Sequence, residues 1–181
     1  MELGEGMDLT EYEHVTHTFG PVYNRNSTIL ILGSMPSVKS REQQFYYGHP
    51  QNRFWKVLPA VFGETKPGTI EEKKDFLLRN RIALWDVIAS CDIIGSSDNS
   101  IKNVIANDMN VILSAADIGT VFLNGGKAYE LFRKYCGKYV KPKLVKLPST
   151  SPANAAWSLE RLTKAWKKAI LGEGGAERNG V

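Results

Sequence analysis

The segment Phe45–Trp55 holds the side chains best suited to binding a flat polar ring. It reads F-Y-Y-G-H-P-Q-N-R-F-W and combines aromatic rings with His49, Asn52 and Arg53. Aromatic faces stack on nucleic-acid bases. Such clusters more often pack in a core, and an asparagine before a helix more often caps it. The segment is nevertheless predicted to be a long loop entering a helix, and loops often carry functional residues. It is therefore the first candidate for a ligand site.

Two further segments carry polar groups that suit a base or a phosphate. The turn Gly33–Ser37 follows an apolar strand, and its backbone N–H groups can bind a carbonyl or a phosphate. The late loop Leu147–Ala155 places hydroxyl groups between two prolines, beside a predicted helix N-terminus, which suits phosphate contacts. A plain strand-ending turn and an ordinary loop with capping hydroxyls are the alternatives.

These segments belong to a regular alternation of strands and helices. Apolar runs predict strands at Thr28–Leu32, Ile82–Val87, Thr120–Leu123 and Lys143–Leu147. Helical spacing predicts helices at 54–62, Ile70–Asn80, Met109–Ala115 and Lys127–Tyr135, the second of them behind a Thr69–Glu72 capping box. A last helix is predicted after Asn154, which could cap it, with Trp157, Leu162, Trp166 and Ile170 on one apolar face. The alternation predicts an α/β fold with a central four-stranded parallel sheet and helices on both faces. Ligands of such sheets bind beyond the carboxyl ends of the strands.

Composition limits the class of protein. The 181 residues suit one domain over 1–171, with 1–10 mobile and 172–181 a disordered tail. The net charge of +4 is compatible with a polyanionic partner without requiring one. Cys91 and Cys136 are too few for an iron–sulfur cluster or a four-cysteine zinc site, so no metal or cofactor is expected, and a cytoplasmic location is predicted. His14 and His17 are predicted to be solvated, and no run is long enough to span a membrane.

Taken together, the segments resemble the uracil-DNA glycosylase superfamily. The order of a Gly-x-x-Pro turn, an aromatic loop and a late Pro-Ser loop is the same, over roughly Thr28–Ala169. The string H-P-Q-N-R-F-W-K-V, from His49 to Val57, is similar to one in the mismatch-specific thymine/uracil branch. The Gly-Ser-x-Pro turn, the Tyr-rich loop, the Asn-Gly after the third strand and the L-P-S-T-S-P loop are closer to the hypoxanthine-DNA glycosylase branch.

The resemblance implies a three-layer fold, a function and a set of site residues. The implied function is a monofunctional DNA glycosylase that removes a flipped deaminated base, preferably hypoxanthine and otherwise uracil, in base excision repair. The expected partner of the monomeric enzyme is double- or single-stranded DNA containing that base. Asn52 is the expected catalytic residue, and the base pocket is expected to comprise Gly33, Ser34, Met35, Pro36, Tyr47, Asp86 and Asn124.

Within that pocket, Tyr47 is the first choice for stacking on the base, ahead of Phe45 and Tyr46, whereas Phe54 and Trp55 are expected in the core. Asp86 is expected to accept a hydrogen bond from the base, with a helix cap or a buried ion pair as its alternatives. The DNA backbone is expected to contact Ser149, Thr150, Ser151, Gly125 and Lys127, extended by Lys138, Lys141, Lys143 and Lys146.

Two positions depart from the resembling families. Met35 and Leu147 stand where those families place a water-orienting Asp or Asn and a base-contacting His or Asn. No carboxylate is evident near the turn, which predicts slow chemistry that depends on a good leaving group. These departures keep open a non-catalytic DNA- or nucleotide-binding domain. A hydrolase using Ser149, His49 and Asp86 is the other alternative, although the chain lacks a G-x-S-x-G motif at Ser149.

Overall fold

The computed structural model describes residues 11–138 and 141–172. Its strands are β1 (Glu13–Thr16), β2 (Ile29–Gly33), β3 (Ile82–Asp86), β4 (Ile88–Ile93), β5 (Lys102–Ala106), β6 (Thr120–Asn124) and β7 (Lys143–Leu147). Its helices are α1 (Val38–Gln43), α2 (Phe54–Val61), α3 (Ile70–Arg79), α4 (Asn110–Leu113), α5 (Gly126–Tyr135) and α6 (Leu159–Leu171). The segments predicted to be mobile or disordered, 1–10 and the tail beyond Gly172, lie outside the described residues.

A four-stranded parallel sheet of order β3-β2-β6-β7 forms the centre of the fold. Successive strand residues point to opposite faces, and Leu30, Ile31 and Leu32 of β2 are all fully buried, so both faces of the sheet are covered. Helix α3 packs on β3, α5 packs on β6 and β7, and α6 packs on α2 and β7. The predicted fold class is confirmed, and the four predicted strands differ from the observed ones by no more than a residue at either end.

The predicted helix starts have mixed outcomes. Thr69 caps α3 as predicted, because its hydroxyl accepts a hydrogen bond from the N–H of Glu72. The prediction that Asn154 caps the last helix is wrong. The cap of α6 is Ser158, whose hydroxyl accepts from the N–H of Arg161. The loop before α6 is longer than predicted, and Trp157 therefore precedes the helix.

A second sheet was not predicted from the sequence. Strands β1, β4 and β5 form an antiparallel sheet in the order β1-β4-β5. Strand β4 begins almost directly after β3, with Val87 between them. The chain leaves β1 at His17, whose backbone N–H donates to the carbonyl of Ala89. Ala89 lies in β4, shortly after the end of β3. The second sheet thereby carries His17 to the end of β3. In the described part of the chain, no helix has the length and apolar character needed to cross a membrane.

Candidate active site

A cavity of about 320 Å³ opens at the carboxyl ends of the parallel strands. This volume lies at the lower end of the range for small-molecule sites, about 300–1,000 Å³. The residues that end β2, β3 and β6 line it, together with the turn after β2, the aromatic loop and the late loop. Its lining includes Gly33, Ser34, Met35, Pro36, Tyr47, Asn52, Asp86, Asn124, Ser149, Thr150 and Ser151. The structure therefore brings the predicted catalytic and base-pocket residues together, and their roles stay predictions.

Asn52 is held by two hydrogen bonds to its side-chain oxygen. The Oδ1 atom accepts from the backbone N–H of Phe54 at 2.9 Å and from the Thr150 hydroxyl at 2.9 Å. A backbone N–H can only donate, so the amide atom that faces it must be the oxygen. The Nδ2 atom is then the donor end of an amide whose residue lines the cavity. Asn52 can thus donate a hydrogen bond to a ligand, whereas its oxygen is already engaged.

Thr150 connects Asn52 to Asn124. The Thr150 hydroxyl accepts from Asn124 Nδ2 at 3.0 Å, and the Thr150 backbone N–H donates to Asn124 Oδ1 at 3.1 Å. Thr150 is fully buried. Its predicted contact with the DNA backbone is therefore revised, because its side chain cannot reach solvent. Thr150 instead fixes the two asparagine amides.

Tyr47 lies between the core and the cavity. Its ring stacks on Phe54 with centroids 3.9 Å apart, so only its other face is left for a base. Asn124 Nδ2 donates to its hydroxyl at 3.2 Å. Burial raises the pKa of Tyr47, as does the nearby charge of Asp86, so the phenol stays protonated and can donate.

The remaining aromatic residues of the loop belong to the core. Phe45 and Tyr46, the second choices for stacking, are buried, and Tyr46 donates its hydroxyl to the carbonyl of Gly20. Phe54 and Trp55 are buried as predicted, and Trp55 donates its indole N–H to the carbonyl of Tyr46. Tyr47 is thus the loop aromatic that best combines exposure with a place in the cavity wall.

Asp86 forms a buried pair with a histidine that the sequence did not single out. His17 Nε2 lies 2.8 Å from Asp86 Oδ2, and the two side chains are 2% and 4% exposed. The prediction that His17 is solvated is wrong, because the antiparallel sheet delivers it to the end of β3. His17 also packs against the rings of Phe19 and Tyr46. Asp86 is therefore buried against a partner, as one alternative from the sequence expected, and it also lines the cavity.

Gly33 lies at a point in the cavity wall where a side chain would collide with its neighbours. A Cβ at this position would lie 2.5 Å from Asp86 Oδ1 and 2.9 Å from Tyr47 Oη. Both atoms belong to side chains held from elsewhere, by His17 and by Asn124. Only a residue without a side chain fits here while both polar groups keep their places.

For the base release that the resemblance implies, we expect Gly33→Ala to reduce the rate by about 100-fold, because the new methyl group must displace Asp86 and Tyr47, and a small misplacement of site groups is enough for such a loss. The matched control is Gly20→Ala, since a Cβ at Gly20 meets nothing within 4 Å. Single-turnover rates and melting temperatures of both variants provide the measurement. A wild-type rate in Gly33→Ala would mean that the contacts at this position do not matter for the reaction.

A carboxylate does lie beside the turn, contrary to the sequence-based expectation. Asp98 Oδ1 accepts a hydrogen bond from the Ser34 hydroxyl at 3.0 Å, and Asp98 lines the cavity. It comes from a 3-10 turn at Asp98–Ser100, far from Ser34 in the sequence. Met35 lines the cavity with an apolar side chain, and Leu147 is buried. The sequence offered only a polar loop, G-S-S-D-N-S, as a signal for Asp98.

Arg53 fastens the aromatic loop to the late loop. Its guanidinium donates to the carbonyls of Trp157, Ser151 at 3.1 Å and Asn154 at 3.0 Å. Its backbone N–H donates to the carbonyl of Thr150 at 3.1 Å. These bonds hold the segment 150–157 out of a helix, which explains why α6 begins late.

A second groove adjoins the cavity and shares residues with it. Ser149 and Ser151 line both, whereas Lys127 and Lys146 line only the groove. Gly125 touches the late loop, because a Cβ there would lie 3.0 Å from Ser149 Cβ. The groove thus collects Ser149, Ser151, Lys127 and Lys146 from the residues predicted to contact a DNA backbone. The other predicted lysines lie elsewhere: Lys138 and Lys141 line a separate pocket beside Ile118, and Lys143 lies at the amino end of β7.

The hydrolase alternative finds little support in the hydrogen bonds. Ser149, His49 and Asp86 all line the cavity, but Asp86 pairs with His17 instead of His49. His49 Nδ1 accepts from the backbone N–H of Gln51, and the Ser149 hydroxyl accepts from the N–H of Ser151. Among the described residues, no chain of hydrogen bonds links Ser149 to His49 and Asp86 as nucleophile, base and acid.

Comparison with known proteins settles the family. The model of the uracil DNA glycosylase superfamily matches residues 21–171. The chain belongs to this superfamily. A hypoxanthine DNA glycosylase of Methanosarcina barkeri (strain Fusaro / DSM 804) is 35% identical over 156 residues, which cover 84% of this chain and 96% of that protein. A hypoxanthine DNA glycosylase of Methanosarcina acetivorans is 37% identical over 145 residues, covering 79% and 90%.

A solved structure agrees with the superfamily assignment. The solution NMR structure of a candidate uracil DNA glycosylase from Methanosarcina acetivorans matches with a TM-score of 0.70 and 35% identity, covering 85% of this chain and 94% of that one. The resemblance drawn from the motifs is therefore confirmed. As a member of the uracil DNA glycosylase superfamily, the chain is a DNA glycosylase of the class that acts on deaminated bases in DNA.

Proposed function

We propose that the chain is a monofunctional DNA glycosylase that releases hypoxanthine from DNA, with uracil as the second choice, in base excision repair. The observation that carries the proposal is the polarity of the cavity wall, where the Asp86 carboxylate can only accept and Asn52 Nδ2 can only donate. Relatives named as hypoxanthine DNA glycosylases support the choice of base.

Deamination exchanges hydrogen-bond donors and acceptors on the edge of a base, and the acceptor at Asp86 and the donor at Asn52 can distinguish the two patterns. Adenine presents a ring-nitrogen lone pair and an amino donor, whereas hypoxanthine presents a ring N–H and a carbonyl. A carboxylate at Asp86 accepts the new N–H and repels the lone pair of adenine. The donor at Asn52 suits the new carbonyl. Uracil carries a similar N–H and carbonyls, which is why it remains the second choice. Guanine shares the N–H and the carbonyl of hypoxanthine, so its rejection must come from the space around its amino group.

The base must leave the duplex before it enters this cavity. Flipping costs a few kcal/mol and costs least at a mismatch. The free face of Tyr47 provides a stacking surface, worth about 1–3 kcal/mol per base. The adjoining groove, with Ser149, Ser151 and Lys127, provides the backbone contacts. Double- and single-stranded DNA both fit this scheme, and one chain supplies all of the groups, in keeping with a monomer.

Cleavage of the glycosidic bond sends its electron pair to the base. We assign the stabilisation of that charge to backbone N–H groups of the turn after Gly33 and to the amide of Asn52, which line the cavity and can act as an oxyanion hole does. Among the described residues, those that line the cavity include no lysine. This favours water over an amine as the nucleophile and hence a monofunctional enzyme. The free, buried cysteines are in keeping with a cytoplasmic location.

The test is a single-turnover assay with an excess of the protein over labelled duplexes that carry inosine, uracil, adenine or guanine at one position. Chromatography detects the released base, and alkali reveals the abasic site. We expect release of hypoxanthine, slower release of uracil, and none of adenine or guanine. Preferred release of uracil would reassign the substrate. Binding of the inosine duplex without any product would favour the non-catalytic DNA-binding domain.

A further inference from the structure

The proposed hydrolysis needs an acceptor for the proton of the attacking water. Asn52 cannot take this part, because its oxygen is saturated by Phe54 and Thr150. Met35, in the turn itself, has no polar atom that binds a proton. The Asp86 carboxylate is held by His17 and is assigned above to the base edge. The water therefore requires another group at the cavity.

The loop that contains Asp98 is fastened to the turn after β2 by hydrogen bonds that its Asp98 and Ser96 side chains accept. The Ser34 hydroxyl donates to Asp98 Oδ1 at 3.0 Å. The backbone N–H of Val38, at the start of α1, donates to the hydroxyl of Ser96 at 3.2 Å. These bonds fix the loop against both ends of the turn. Asp98 lines both the cavity and the adjoining groove, and so stands where the base site meets the DNA-backbone site.

We propose that Asp98 is the catalytic carboxylate of this enzyme, which orients the attacking water and receives its proton. The proposal rests on the proposed function. Asp98, from a loop distant in the sequence, would then orient the water and accept its proton, which the apolar side chain of Met35 in the turn cannot do. The boundary between base cavity and backbone groove is where the sugar of a flipped nucleotide must lie, because the sugar joins the base to the backbone.

The step balances as a hydrolysis. The bond between C1′ and the base nitrogen breaks, and both electrons leave with the base. The water oxygen forms a new bond to C1′, and one of its protons passes to the Asp98 carboxylate. Asp98 then returns this proton to the departed base or to solvent. The products are the free base and an abasic sugar. Before the water attacks, the negative charge of Asp98 also stabilises the positive charge that develops on the sugar.

The surroundings of Asp98 suit a proton acceptor. Asp98 is exposed to solvent, yet the protein atoms packed around it desolvate the carboxylate enough to raise its pKa above the ordinary aspartate value. The Ser34 hydrogen bond and the Lys127 charge lower this pKa, and the Asp86 charge raises it. Across the cavity, Tyr47 stays neutral because burial raises its pKa, and His49 is a further titratable residue of the lining. A raised pKa makes the carboxylate a stronger base. The rate is then expected to rise with pH as Asp98 loses its proton.

The deciding variant is Asp98→Asn, which keeps an oxygen to accept from Ser34 and removes the charge. We expect its single-turnover rate on the inosine duplex to fall by about 10²–10⁴-fold, with unchanged or tighter DNA binding. The acidic limb of the pH–rate profile should disappear with it. Asp117→Asn, an exposed carboxylate before β6, is the matched control and should keep the wild-type rate.

Ser34→Ala separates charge from positioning. If Asp98 acts through its charge, the loss in Ser34→Ala should be much smaller than that in Asp98→Asn. A wild-type rate and pH profile in Asp98→Asn would overturn the proposal, and so would equal losses in the two variants, since these would show that Asp98 only holds the turn. Wild-type protein that releases no base would instead refute the proposed function.

Discussion

Asn52→Ala is expected to lower the single-turnover rate of base release by about 10²–10³-fold, the loss typical of removing one donor to a developing negative charge. The variant loses the Nδ2 donor at the cavity. It also leaves the N–H of Phe54 and the hydroxyl of Thr150 without their shared acceptor. Each orphaned group costs about 1–3 kcal/mol if water cannot reach it. A lower melting temperature is therefore expected beside the lower rate.

Asn52→Asp distinguishes the two tasks that an asparagine could perform here. An aspartate keeps an oxygen for Phe54 and Thr150 and replaces the donor with a second acceptor. If Asn52 donates to the departing base, as proposed, the aspartate variant should be nearly as inactive as the alanine variant while remaining better folded. If Asn52 instead orients water by accepting a hydrogen bond from it, the aspartate variant should keep its activity, and the proposed assignment would be wrong. Gln51→Ala, an exposed neighbour, is the control for both.

The parts of the site that the sequence predicted are those set by strand ends. The strand that ends at Gly33 and the one that ends at Asp86 are neighbours in a parallel sheet, so their carboxyl ends had to meet. Apolar runs locate buried parallel strands well, because both faces are covered. The residues at and directly after the ends of such runs can therefore be predicted to lie close together from the sequence alone.

The parts that the sequence did not predict depend on long-range packing. Asp98 and His17 reach the site only through the antiparallel sheet, whose strand β4 reads I-A-S-C-D-I and lacks a clear alternation of apolar and polar residues. Thr150 has the composition of a phosphate contact but faces inward, because Arg53 ties down the loop around it. Side-chain direction in a loop follows from such ties, which local sequence does not encode.

We expect His17 to contribute strongly to the free energy of unfolding, and variants can separate this contribution from any effect on base release. In His17→Leu, Asp86 keeps its buried position and loses the N–H that faces its carboxylate, and leaving a buried polar group without its partner costs about 1–3 kcal/mol, and more when the group is charged. His14→Leu is the matched control. His14 Nδ1 lies 2.9 Å from Asp92, as close as the buried pair, but the His14 side chain is 65% exposed. An exposed pair contributes about 0–1 kcal/mol.

Chemical denaturation of the two leucine variants measures the difference, and a third variant identifies its cause. If the loss in His17→Leu comes from an uncompensated carboxylate, then adding Asp86→Asn should restore much of the stability, because a neutral amide is less costly to bury than a charge. The same double variant should stay inactive on inosine DNA, since the amide no longer offers an acceptor-only group to the base N–H. Equal losses in His17→Leu and His14→Leu, or no recovery in the double variant, would show that His17 acts through packing against Phe19 and Tyr46 instead. Recovery of stability without recovery of base release would assign the pair two separable tasks, with His17 stabilising the folded position of Asp86 and Asp86 reading the base.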